Sequence, residues 1–128
     1  MTLIEFPFKK IPNQSPEKYY GNREYKLFLD TPRFPLNKIN LFLEKKASQM
    51  LFRINEGDGK AKYIIGITDD GIAQGISYNK TIKSVLILSK IINKINAQLK
   101  KLRFYKGTHG FIFTAHVYKN TIDFDLVL

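Results

Sequence analysis

The sequence predicts an α+β fold: two helices packed on one face of a mostly antiparallel or mixed sheet, in the order β-α-β-β-α-β-β-β, behind an extended N-terminal arm. Three observations carry this. Two long stretches repeat apolar residues at three- and four-residue steps, the mark of an amphipathic helix. Several shorter runs alternate apolar and polar residues or are β-branched throughout, as strands are. The chain has 128 residues, 44% of them hydrophobic, which suffices for one core and not for two.

Residues 1–22 read as the arm and residues 23–128 as the single domain. Pro7, Pro12 and Pro16 forbid a continuous helix in the arm and push the residues before them toward extended conformations. Phe6, Phe8, Tyr19 and Tyr20 are interleaved there with Lys9, Lys10 and Lys18. A disordered arm is ordinarily poor in aromatics, so this one is expected to order against something: its own domain, or a nucleic acid. Arg23–Asp30 alternates as a strand with Tyr25, Leu27 and Leu29 on one face, and residues 30–35 form a turn. A helix follows over Leu36–Asn55, with Leu36, Ile39, Leu43, Ala47, Met50 and Ile54 on one side, stopped by Glu56-Gly57-Asp58-Gly59. Lys60–Thr68 reads as a central strand, Asp69-Asp70-Gly71 as a type I′ hairpin turn, and Ile72–Ile76 as the returning strand. The second helix spans Thr81–Lys101, with Val85, Leu88, Ile92, Ile95 and Leu99 facing inward. Arg103–Lys106 is a short strand, and Lys106–Gly110 a flexible loop. Phe111–Tyr118 and Thr121–Leu128 pair as a last hairpin.

Charge bounds the function. There are 21 Lys and Arg against 11 Asp and Glu, a formal net charge of +10. Such an excess repels itself in the compact state and suits a polyanionic partner. Nucleic acid comes first, an acidic membrane surface or acidic protein after it; genomic base bias toward Lys, Ile and Asn is the bland explanation. With no cysteine there is no disulfide framework or thiolate metal site, which fits a reducing compartment. No apolar run approaches the ~20 residues of a membrane span, and the start lacks the order of a signal peptide. A cytoplasmic monomer with no membrane and no small-molecule substrate is expected.

Position sharpens the reading. At about 100° per residue, Lys83, Lys90, Lys94 and Lys101 fall in one narrow stripe opposite Val85, Ile92 and Leu99, and no Asp or Glu interrupts that helix. Lys38, Lys45 and Arg53 do the same on the first helix. Solvated helix faces usually mix both signs, so two such stripes predict a cationic plate for RNA phosphates. Lys106, Thr108 and His109 in the glycine loop, with Lys9, Lys10 and Lys18 in the arm, complete the expected RNA-binding set. Catalytic machinery is not expected. Two histidines on different elements and no cysteine make no nucleophile–base pair, and no Walker-type loop occurs. Glu56, Asp58, Asp69 and Asp70 are explained by turn chemistry. No cofactor and no metal are expected.

Three segments in order resemble one family: Gly21-Asn22-Arg23-Glu24-Tyr25-Lys26-Leu27, Arg53-Ile54-Asn55-Glu56-Gly57-Asp58-Gly59, and Tyr63-Ile64-Ile65-Gly66-Ile67-Thr68-Asp69-Asp70-Gly71-Ile72-Ala73-Gln74-Gly75. Over about residues 20–100 they resemble the Schlafen/AlbA-like domain found ahead of the GTPase in elongation-factor-like GTP-binding proteins. No GTPase motif is present, so no G-protein function carries over. A free-standing basic copy is also similar to the microsporidian dormancy factors of hibernating ribosomes. That resemblance implies a hibernation factor bound in the ribosomal tRNA exit (E) site, contacting ribosomal RNA and ribosomal proteins and inhibiting translation. The Schlafen relatives imply the alternative, a metal-dependent endoribonuclease acting on tRNA or rRNA through Glu24 with Asp69 or Asp70. Glu24 matches the acidic strand motif, but the other carboxylate positions fall near Tyr19 and on Thr68, which depletes the charge that holds a divalent ion.

Overall fold

The computed structural model describes residues 9–33 and 35–120, and the backbone of residues 3–5. Phe6 and Phe8 of the expected arm, Phe34 of the turn and the expected strand Thr121–Leu128 lie outside the described residues. The elements are β1 (Leu3–Glu5), β2 (Arg23–Lys26), α1 (Leu36–Glu56), β3 (Lys60–Ile65), α2 (Tyr78–Lys94), β4 (Gln98–Lys106) and β5 (Phe111–Tyr118). The fold is α+β as the sequence predicts: two helices on one face of a mixed sheet of order β1-β4-β5-β3-β2. β1–β4 and β2–β3 are parallel pairs, while β5 runs antiparallel to both β3 and β4. Each helix connects strands that point the same way, so α1 and α2 lie side by side and parallel.

The core lies between helices and sheet. Ala47, Met50 and Ile54 of α1 and Ile87, Leu88, Ile91 and Ile92 of α2 pack on Ala61, Tyr63, Ile65, Leu102, Phe113, Ala115 and Val117. Strand alternation puts the next residues on the other face. There a smaller cluster of Tyr25, Ile64, Ile67, Ala73 and Ile112 is joined by Ile11 and Tyr105.

The element order differs from expectation at three places, each with a local cause. Residues 3–5, expected in the arm, form an edge strand, with Leu3 opposite Lys101 and Glu5 opposite Arg103. Ile72–Ile76 is not a strand; within it only Ile76 makes a bridge, to Phe111. Both edges of β3 are already taken, by β2 and β5, so nothing is left for a returning strand to pair with. The turn before it is not type I′ either, since that type needs positive φ at both central residues. Gly71 alone carries it, at φ +88, and its N–H closes the turn on the Thr68 carbonyl at 2.9 Å.

The second helix is displaced. It starts at Tyr78 on Ser77, whose side chain accepts from the Lys80 N–H at 3.2 Å. It ends at Lys94 because Asn96 turns left-handed, φ 54. The Ala97 N–H then bonds the Ile92 carbonyl at 3.1 Å and the Asn96 N–H bonds that of Asn93 at 3.2 Å, a Schellman closure. α1 closes the same way on Asp58, φ 54, with Gly59 bonded to Ile54 at 2.9 Å. Residues 98–101, expected in the helix, are released into β4. Because an L-residue in the left-handed region costs about 1–2 kcal/mol and glycine almost nothing, Asn96→Gly should raise the urea midpoint slightly. Asn96→Val should lower stability by about 1–2 kcal/mol in the same titration.

Candidate nucleic-acid interface

Arg53, expected on the outward stripe of α1, is buried at 4% exposure. Its position on the helix falls toward the sheet edge, where Glu24 of β2 sits beside Tyr63 of β3. Arg53 Nε donates to Glu24 Oε1 at 2.8 Å, and Glu24 is itself 1% exposed. Nη1 donates to the carbonyls of Tyr20 and Gly21 at 2.9 and 3.0 Å, and Nη2 to that of Lys18 at 2.8 Å. Glu17 Oε2 lies 3.7 Å from Nη2 and accepts from the Tyr25 N–H at 2.6 Å. Lys26 Nζ reaches the other Glu24 oxygen at 3.2 Å. The guanidinium fork is filled by the fold and is not available to RNA. Glu24 is equally spent, which gives the one carboxylate matching the nuclease motif a structural part. Among the described residues no group of three or more His, Cys, Asp and Glu is arranged for a metal ion.

Residues 13–21 are thus a strap. The Gln14 N–H bonds the Gly71 carbonyl and the Glu17 N–H that of Asp69, both at 2.7 Å. The Ala73 N–H bonds Asn13 Oδ1 at 2.8 Å, and the Tyr25 hydroxyl donates to the Ser15 carbonyl at 2.9 Å. A Cβ on Gly71 would collide with the Gln14 carbonyl, so close approach as well as φ requires glycine there. Lys18 remains exposed, its Nζ 5.6 Å from the Tyr20 ring centre.

On the helix layer, Lys38 and Lys45 of α1 and Lys90 and Lys94 of α2 are exposed. Lys83 is exposed too but pairs with Asp30 at 2.7 Å, an exposed ion pair of small worth. Lys101 is not on the helix at all; it lies in β4. The buried face of α2 is Thr81, Ser84, Ile87, Leu88, Ile91 and Ile92. Thr81 and Ser84 can be buried because their hydroxyls are bonded, to the Ser77 carbonyl and the Leu29 N–H. That face is centred roughly 110° from the lysine stripe, at about 100° per residue. The lysines therefore flank it, and the outward pole carries Ile82 and Leu86, as that of α1 carries Leu41 and Phe52. On α2 the lysines lie to one side of this apolar crest, whereas on α1 Lys38 and Lys45 share the crest, at seven-residue steps before Phe52.

The arm and the glycine loop meet. Lys10 bridges Lys106, and the Lys106 N–H bonds the Lys9 carbonyl at 2.8 Å. Lys10, Lys106 and Thr108 line a depression of about 170 Å³ with Ile11, Asn13, Ala73 and Gly107. The loop expected to be flexible is pinned. Its Gly107, Thr108 and His109 N–H groups bond the carbonyls of Gly110, Ala73 and Gln74 at 2.7, 3.0 and 2.7 Å. Those three N–H groups are therefore not available to phosphate.

A further cation group escaped sequence reasoning. On the sheet face away from the helices, strand register aligns Arg23 with Lys62, Lys62 with His116, and His116 with Lys101. A bulge between Leu99 and Lys101 brings Lys100 to the same face, its Nζ 5.4 Å from the Tyr118 ring centre. Burial, then Arg23, Arg103 and Lys101, hold Lys62 below the usual lysine range. Burial, then Lys62, Lys101, Arg103 and Lys60, hold His116 below the usual imidazole range. Alternation in 111–118 placed His116 on this face; the bulge and the strand order that assemble the row leave no mark in the sequence.

Fold and surface together define a small basic α+β domain whose cations fall in separate outward groups. The chain is similar to part of GTP-binding protein 2 of mouse and of human, 34% identical over 92 residues. That stretch is 72% of this chain and 14% of the relatives' length, so the chain spans a small part of the proteins it matches. No protein-family model matches it, and no solved structure matches it significantly. No described helix is long and apolar enough to cross a membrane.

Two outcomes follow from the Arg53 cluster. Arg53→Met strands Glu24, and removing one partner of a buried pair costs about 3–5 kcal/mol; urea unfolding and faster proteolysis within residues 13–21 should report it. Glu17 is raised above the usual carboxylate range, by burial first and by Glu24 and Asp69, against the Tyr25 N–H and Arg53. The folded state then binds its proton more tightly than the unfolded chain, so stability should fall as pH rises from about the ordinary glutamate value through the folded one. Glu17→Gln should remove that slope in urea titrations at successive pH values.

Proposed function

We propose that the domain binds ribosomal RNA and acts by occupancy, seated with ribosomal proteins around it at the tRNA exit site and keeping tRNA out. The observation that carries this is how the two charge signs are used. Glu17 and Glu24 serve Arg53, Glu56 accepts the Gly21 N–H at 3.2 Å, and Asp30 pairs with Lys83. Lys9, Lys10, Lys18, Lys38, Lys45, Lys90, Lys94 and Lys106 all remain exposed. Arg53, Lys26 and Lys83 are taken up by the same acids, so the surface keeps a charge near the formal +10, and RNA phosphate is the partner that relieves it. Similarity to a segment of GTP-binding protein 2, and the resemblance of the 21–27, 53–59 and 63–75 segments to the Schlafen/AlbA-like domain, support a place in translation. Dormancy of the ribosome is the setting in which occupancy alone is useful.

Co-sedimentation with ribosomes across a potassium chloride series tests this reading. Binding should weaken steeply with salt, and Lys90→Glu with Lys94→Glu should weaken it further. Deacylated tRNA should compete with the protein. Binding that is flat across the salt series and indifferent to tRNA would sink the proposal.

A further inference from the structure

We infer that the sheet face away from the helices seats a single-stranded RNA segment, its phosphates running over Arg23, Lys62, His116 and Lys101 from β2 to β4 and its bases stacking on Tyr20 at the β2 end and on Tyr118 of β5. This rests on the RNA reading above and names a site within it.

The face is divided in two. Toward one end, the apolar cluster of Tyr25, Ile64, Ile67, Ala73 and Ile112 is sealed by Ile11 and the strap. Toward the other lies the cation row, its members exposed or half-buried. Like charges on neighbouring strands destabilise a sheet. Burial and the cations Arg23, Arg103 and Lys101 all disfavour the charge on Lys62. A phosphate laid beside Lys62 offsets that repulsion.

The row has the form of a track. Its four strands are separated by three gaps of about 4.8 Å, a span of roughly 14 Å. At the β2 end, Arg23, Lys18 and Tyr20 line a depression of about 330 Å³ with Ser15, Asn22 and Tyr25. Two residues along β5 from His116, Lys100 of β4 stands over Tyr118. Two places beside the row therefore offer a lysine next to a tyrosine ring. Cations along a backbone with rings for bases are what unpaired strands need; a duplex hides its bases and would leave both rings idle.

His116 supplies a readout peculiar to this site. Lys60 and Lys62 of β3 and Lys101 and Arg103 of β4 face it and disfavour its proton. A phosphate among them favours that proton, so binding takes one up and tightens as pH falls toward the histidine range.

The test is fluorescence anisotropy with a labelled oligouridylate, using the full chain. Arg23→Gln with Lys62→Gln should weaken binding tenfold or more and lower the salt slope by about 1.4, with circular dichroism unchanged. Lys90→Glu with Lys94→Glu should alter it less than threefold. In the unaltered protein, the His116 ring signals should titrate at higher pH with oligouridylate than without. If oligouridylate does not bind, binds regardless of Arg23 and Lys62, binds no better than a duplex of the same length, or leaves the His116 titration unmoved, the site is overturned. Ribosome co-sedimentation run beside it separates the two ideas: ribosome binding without oligouridylate binding removes this site alone, and loss of both removes the RNA reading too.

Discussion

Arg53 is the residue on which the arrangement of this molecule turns. It stands on a helix, reaches the edge strand through Glu24, and gathers three carbonyls of the N-terminal strap. Helix, strand and strap have no other polar junction of this density among the described residues. The cluster is costly to assemble, because two charges leave water, and such a pair often adds no net stability over an apolar replacement. What it joins is three separate segments of chain. Arg53 is buried with its donors met by Glu24 and by the carbonyls of residues 18, 20 and 21, and Tyr63, packed beside Glu24, has its phenol proton held far more tightly than in water. The strap is fixed, and the apolar half of the sheet beneath it is closed.

The same economy of charge sets the surface. Glu17 and Glu24 close the Arg53 junction, Glu56 accepts from Gly21 and Asp30 pairs with Lys83, and many lysines are left outside. Three groups result: the helix layer, the junction of arm and loop, and the row across the open sheet. The helix layer is the least pure of them, since Leu41, Phe52, Ile82 and Leu86 crest it and Lys83 is engaged by Asp30. The sheet row is the most concentrated, assembled by register from residues far apart in the chain.

Much of this was legible in the sequence, and the remainder was hidden for definite reasons. The helix periodicity and the alternation of 111–118 report which side of each element is apolar, so the fold class and most of the core were readable. Arg53 looked like an outward lysine-stripe residue because its position on the helix wheel is intermediate, and only a buried Glu24 opposite converts it into an interior one. The end of α2 was written in Asn96, and its start in Ser77, but an acid-free apolar run continuing to Leu102 outweighed both. Ile72–Ile76 has the composition of a strand and no edge to join. Lys101 joins the stripe only in a helix that runs to residue 101, and α2 ends at Lys94. Strand order is a non-local property, so the row from Arg23 to Lys101 could not be read from any window of the chain.

The strap is held by its peptide groups. Arg53 grips the main chain at positions 18, 20 and 21, and main chain is common to every amino acid. Substitution at Lys18, Tyr19 or Tyr20 therefore leaves the anchor intact while changing what the surface displays. Evolution is free to retune the outer chemistry of this segment without renegotiating the architecture, a separation between holding and recognising that few short peptide stretches enjoy.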